Sequence, residues 1–158
     1  MLILGIDPGT SIVGFGVIRK KSGGFVCENY GCIKTDPKIP NTEKLLTIEK
    51  KLDDLIKKIQ PDKIAIEKLF FFKNIKTVIA VAEARGVILA VCAKNNKPIH
   101  EFTPLQIKQA VSCYGRADKK QVQKMVKLIL NLKDLPKPDD AADALACAIT
   151  CANSLRSN

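Results

Sequence analysis

Four carboxylates are the first candidates for chemistry. Asp7 and Glu67 each close a short apolar run, LILGID and KIAIE, and Asp140 and Asp143 stand three residues apart in a late alanine-rich stretch. Residues three apart share one face of a helix, whereas Asp139 is turned about 100° from Asp140 and need not join them. If the fold gathers the four acids, repulsion must be met. Two unit charges about 5 Å apart repel by roughly 3 kcal/mol at an effective dielectric of 20, so such a cluster persists only where protons or cations neutralise it. An all-oxygen donor set favours Mg²⁺ or Mn²⁺ over zinc. Two such ions can bracket a phosphate, one activating water and the other stabilising the leaving oxygen. The same acids also suit plainer roles as helix caps and dipole partners, and periodicity alone leaves both readings open.

The elements that would position these acids follow from local pattern. Leu2–Asp7, Ile12–Arg19 and Phe25–Thr35 read as three strands of an antiparallel meander, punctuated by Pro8-Gly9 and Gly23-Gly24. Gly14 and Gly16 in the second strand suggest close backbone approach. A helix opens after Pro40, with Leu45, Leu46, Ile48, Leu52, Leu55, Ile56 and Ile59 at helical spacing. Lys63–Glu67 is a fourth strand, residues 74–93 an unusually apolar helix, and Pro98–Phe102 a fifth strand. Thr103-Pro104 reads as an N-cap followed by proline in the first turn of another helix. Lys119–Leu130 is a basic helix and Asp139–Asn153 the last one. This order predicts an α/β fold: one five-stranded mixed sheet with helices on both faces, the fourth strand parallel to the first and beside it. Asp7 and Glu67 then lie at neighbouring carboxyl ends, where open α/β sheets place their ligands. Alanines around Asp140 and Asp143 would let the last helix lie close to the sheet.

At 158 residues the chain is expected to form one domain, residues 1–158. Its 26 Lys and Arg against 16 Asp and Glu leave a net charge of +10, which points to a polyanionic partner such as nucleic acid. Residues 94–137 hold ten Lys or Arg against three acids, a candidate phosphate-facing surface. No uncharged run is long enough to span a bilayer and Asp7 interrupts the apolar start, so the expectation is a cytoplasmic protein with no membrane association. The six cysteines form no CxxC pair and read as reduced, mostly buried thiols, and His100, the one histidine, reads as structural.

Taken together, Gly5-Ile-Asp-Pro-Gly-Thr10, Ala65-Ile-Glu67, Glu83-Ala-Arg-Gly86 and Asp140-Ala-Ala-Asp-Ala-Leu145 strongly resemble the RuvC family of Holliday-junction resolvases, in order and over nearly the whole chain. The resemblance implies a ribonuclease-H-like fold. It implies a homodimer that nicks opposed strands of a four-way DNA junction in recombination and repair, leaving 5′-phosphate and 3′-hydroxyl ends. Asp7, Glu67, Asp140 and Asp143 would be the metal-binding catalytic acids, with two Mg²⁺ per subunit and Mn²⁺ able to substitute. Asp140 keeps the site all-oxygen where some members carry a histidine. Phe70 matches an aromatic near the junction centre, and Phe71 and Phe72 follow it. Lys108, Arg116, Lys119 and Lys120 match segments that face DNA phosphate, and Lys73 and Asn74 are further candidates for backbone contact. The apolar helix resembles the family's dimer element, and a branch-migration motor complex is an expected partner. Two alternatives remain: a non-catalytic dimeric DNA-binding module of the same fold, and a ribonuclease-H-like nuclease acting on another nucleic acid. An actin-like phosphate-binding enzyme, which the Gly-Ile-Asp-Pro-Gly-Thr loop also resembles, would need a second such domain.

Overall fold

The structure, a computed structural model, describes residues 1–69 and 75–155. In chain order the elements are β1 (Leu2–Asp7), β2 (Ile12–Lys21), β3 (Gly24–Lys34), α1 (Asn41–Ile59), β4 (Lys63–Glu67), α2 (Ile75–Lys94), β5 (Ile99–Phe102), α3 (Pro104–Ser112), α4 (Lys119–Ile129) and α5 (Asp139–Ser154). The strands form one sheet in the order β3-β2-β1-β4-β5. The meander is antiparallel, and β4 runs parallel to both β1 and β5, as the crossover rule requires.

Strand alternation decides which layer each residue joins. Leu4 and Ile6 of β1, Val13 and Val17 of β2, and Ile64 and Ile66 of β4 face α1 and α2, where they meet Ile48, Leu52, Ile56, Ile88 and Val91. Ile3, Ile18 and Ala65 point the other way, into a second core with α3, α4 and α5. By the same period of two, Asp7 follows Ile3 and Gly5, and Glu67 follows Ala65. Both acids therefore end on the face that α5 covers.

That face is built for close approach. A Cβ on Gly5 would run into the Ala144 carbonyl and come within 2.9 Å of the Ala148 methyl, and one on Gly14 would strike the Asp140 carbonyl. A Cβ on Gly16 would sit 2.7 Å from the Leu145 side chain. Bare backbone in β1 and β2 thus meets a helix whose residues Ala141, Ala142, Ala144, Ala146 and Ala148 are all buried. α3 and α4 hold the outer side of α5. Each begins with a capping box, Thr103 with Gln106 and Asp118 with Gln121, which satisfies amide groups left open at a helix start.

The expected apolar burial of cysteine holds for Cys92, Cys147 and Cys151, whereas Cys27 and Cys32 are half-buried and Cys113 is exposed. Cys113 closes α3 in the left-handed conformation (φ 57°), a position that turns its side chain out of the core. His100 sits in β5 beside Ala65, where burial lowers its pKa. No described helix is long and apolar enough to cross a membrane.

Candidate active site

The carboxyl ends of β1 and β4 and the first turns of α5 converge at one end of the sheet. Ile6 pairs with Ile66 in the parallel register, so Asp7 and Glu67 leave the sheet side by side. The Asp140 backbone rests on Gly14, opposite Asp7 in β2, and Asp143 follows one turn later. All four acids thus come to one place from three elements far apart in sequence.

Their electrostatics report the crowding. Burial is the largest force on Asp7 and pushes its pKa up to about 8, with the charges of Glu67, Asp143 and Asp140 adding to the effect. Burial and then Asp143 push Glu67 up to about 7, against the pull of Lys119 and Lys108. Asp143 is raised as well, again first by burial. Carboxylates held this far from their ordinary range mark a site awaiting positive charge.

Some of that charge comes from Lys119, the first residue of α4. Its Nζ lies 2.9 Å from Asp143 Oδ2 and 3.6 Å from Asp139 Oδ2. Burial lowers the Lys119 pKa, but the hydrogen bond and charge of Asp143, with Asp139 and Asp140 behind them, outweigh burial and raise it. Among the described residues Lys119 is the only cation in an ion pair with this group of acids. The sequence reading assigned Lys119 to DNA phosphate and left Asp139 aside; in the structure the two are partners. The capping box of Asp118 and Gln121 was the legible signal that Lys119 opens a helix, though not that its side chain turns inward.

A cleft of about 260 Å³ opens beside the acids, lined by Glu67, Asp143, Lys108 and Lys119 over a floor that includes Ile107 and Ala146. Lys108 and Lys119 therefore share the acid-lined cleft, while Arg116 and Lys120 are exposed on the loop before α4 and on its first turn. Phe70, Lys73 and Asn74, with Phe71 and Phe72, lie outside the described residues. Sequence reasoning also passed over Cys32. It faces Gly14 across β2 and β3, and partial burial raises its thiol pKa, with the charges of Asp140 and Asp7 adding to the rise.

The donor set fits a hard divalent ion: oxygen only, largely desolvated and short of positive charge. Its spacing is open, however. Among the described residues no three His, Cys, Asp or Glu side chains are arranged to grip one ion, and Lys119 already pairs with one of the acids, Asp143.

A five-stranded mixed sheet with acids at adjacent strand ends and on the helix crossing them is the architecture of a ribonuclease-H-like nuclease. A family profile described as "Crossover junction endodeoxyribonuclease RuvC" matches residues 3–151. The RuvC crossover junction endodeoxyribonuclease of Alkaliphilus metalliredigens is 51% identical over 154 residues, covering 98% of this chain and 94% of its own. The Thermus thermophilus RuvC structure superposes with a TM-score of 0.88 at 32% identity, over 98% of this chain and 95% of that one. The same protein in complex with Holliday junction substrate matches with a TM-score of 0.88 at 29% identity and the same coverage. The chain belongs to the RuvC family, and it is accordingly an endodeoxyribonuclease.

Proposed function

We propose that this chain resolves four-way DNA junctions by paired, symmetric hydrolytic nicks, with Asp7, Glu67, Asp140 and Asp143 as its catalytic acids in a single nuclease domain. The observation that carries this reading is the convergence of four carboxylates, three of them (Asp7, Glu67 and Asp143) desolvated, beside a cleft that also holds Lys108 and Lys119. The four acids would hold two Mg²⁺ per subunit, or Mn²⁺ in their place. When bound, such ions activate water for attack on the phosphodiester and stabilise the leaving oxygen.

The residues of the chain do the rest. Asp7 and Glu67 sit on a rigid sheet, so they set the position of the scissile phosphate with little reorganisation. Asp140 and Asp143 come from the first turns of α5, where the helix dipole favours negative charge. Lys108 and Lys119 line the approach and draw the DNA backbone in, and Arg116 and Lys120 extend the basic surface outward. The products are a 5′-phosphate and a 3′-hydroxyl, which can be rejoined during recombination and repair.

Paired nicks call for two copies of the site. The outward face of α2 supports a homodimer: Ile79 is 59% exposed, and Ala82, Gly86 and Ala90 beside it are exposed too. Leu46 of α1, 67% exposed, is a further apolar residue open to a second copy. Two-fold protein symmetry would then meet the near two-fold symmetry of a junction. We place the protein in the cytoplasm, working with a branch-migration motor complex.

Cleavage of a synthetic junction, mapped at nucleotide resolution with and without Mg²⁺, tests the reading. Wild type should nick opposed strands symmetrically, and Asp7→Asn should bind the junction without cutting it. Undiminished cutting by Asp7→Asn would reject the assignment. Equal competition by linear duplex, or preference for an RNA–DNA hybrid, would transfer the activity to another substrate. A single 17.3 kDa species in sedimentation at all concentrations, with and without DNA, would remove the dimer.

A further inference from the structure

Lys119 lies at the meeting point of two demands that a single ammonium cannot serve together. Its Nζ hydrogen-bonds Asp143 at 2.9 Å and reaches Asp139 at 3.6 Å. It also lines the cleft with Lys108, where a DNA backbone would approach. The backbone of Lys119 is held by the capping box at the start of α4, but its side chain is 52% exposed. A fixed root and a free, flexible stem allow the head to move several ångströms without disturbing the fold. Asp143 has no such freedom, because it belongs to a helix seated on glycine and alanine. Among the described residues no three acids are spaced to grip one ion in this arrangement, and one of them, Asp143, is held by the ammonium.

We propose that Lys119 is an exchangeable counter-ion, bonded to Asp143 in the metal-free protein and released to DNA phosphate when a divalent ion takes its place. This inference rests on the assignment of the acids made above. One side chain then links the two ligands: phosphate draws Lys119 out and opens the acids to metal, while metal frees Lys119 to grip phosphate. By linkage, DNA tightens metal binding by the same factor as metal tightens DNA binding. The metal-free acids stay partly neutralised in the meantime.

Mn²⁺ binding to DNA-free protein, followed by the loss of free-ion EPR signal, tests the exchange without reference to cleavage. Lys119→Met should bind Mn²⁺ about threefold to tenfold more tightly than wild type, the range expected for loss of a partly exposed competing ion pair. Lys119→Arg, which keeps the charge, should stay near wild type, and Lys108→Met should gain less than Lys119→Met. Unchanged or weaker binding by Lys119→Met would overturn the proposal. A second measurement needs no variant: in the wild type, the Lys119 ¹⁵Nζ resonance should shift as Mg²⁺ is titrated in without DNA, and a resonance unmoved at saturation would also overturn it. Asp7→Asn separates this idea from its foundation. If Asp7→Asn binds Mn²⁺ as wild type does, the acids are not the metal site. If Asp7→Asn loses the ion and Lys119→Met gains nothing, only the exchange fails.

Discussion

The two faces of the sheet are packed by different rules. On one, α1 and α2 meet β1, β2 and β4 through large branched side chains, Ile48, Leu52, Ile56 and Ile88 against Leu4, Ile6, Ile64 and Ile66. On the other, the first turns of α5 lie on Gly5 and Gly14 backbone to backbone, and Leu145 fills the space over Gly16. A layer of bulky residues can absorb a lost methylene by partial collapse. A layer in which backbone touches backbone has no side chain to give way, so any added atom must move the whole helix. The tight face is also the one that carries Asp140 and Asp143. Both faces bury a full apolar core, but only the tight one fixes the backbone at the proposed site.

Substitutions that cross this boundary should separate the two properties. Among substitutions in the packing layers, the largest effect on cleavage is expected from Gly14→Ala, whose new methyl would strike the Asp140 carbonyl. Cleavage of a junction should fall about 100-fold, as expected when catalytic groups are displaced by about an ångström. Full cleavage by this variant would show that α5 can shift without cost to the site. Leu52→Ala, in the bulky layer, should lower stability by about 2–5 kcal/mol in denaturant unfolding. Cleavage per folded molecule should stay close to wild type at temperatures where the variant is folded, and a parallel collapse of both would erase the distinction.

The acids supply a third, pH-dependent contrast. Asp7 has an ordinary pKa of 3.8 and is pushed up to about 8 in the folded protein, so the native state holds its proton more tightly than the unfolded chain. Stability from this group is complete below pH 3.8 and is lost as pH rises through about 8. In chelator-treated protein, Asp7→Asn should therefore melt above wild type, by a margin that widens between pH 5 and pH 8. A margin that is flat or narrows over that range would contradict the burial of Asp7. The smallest effect is expected from Asp118→Ala. It removes the cap of α4 and should cost about 1 kcal/mol of stability, measured by denaturant unfolding. Lys119 would lose its fixed root, and cleavage should drop more than the stability loss alone explains.

Much of this arrangement was legible before any coordinates. Strand runs ending in acids, alternation of apolar residues and the parallel crossover together place Asp7 and Glu67 side by side, and glycines facing alanines announce the close helix. These are backbone-level features, and short-range pattern determines them. The orientation of Lys119 was not legible, because a long flexible side chain is directed by charges on α5 that lie some twenty residues away. The open spacing of the acids was hidden for the same reason: sequence says which groups meet, while their separation depends on side-chain rotamers and on which cation stands among them. The exposure of Cys113 depended on a left-handed helix end with no glycine to signal it.

Half of the acids arrive with α5, the last element in chain order. A polypeptide still being synthesised, or one clipped before residue 139, has all five strands in its sequence yet carries only Asp7 and Glu67 of the four acids, and it lacks the helix that closes one face of the sheet. On the proposed assignment of the acids, such a molecule can neither complete the site nor cover that face, so the ability to cut DNA would arrive together with the finished fold.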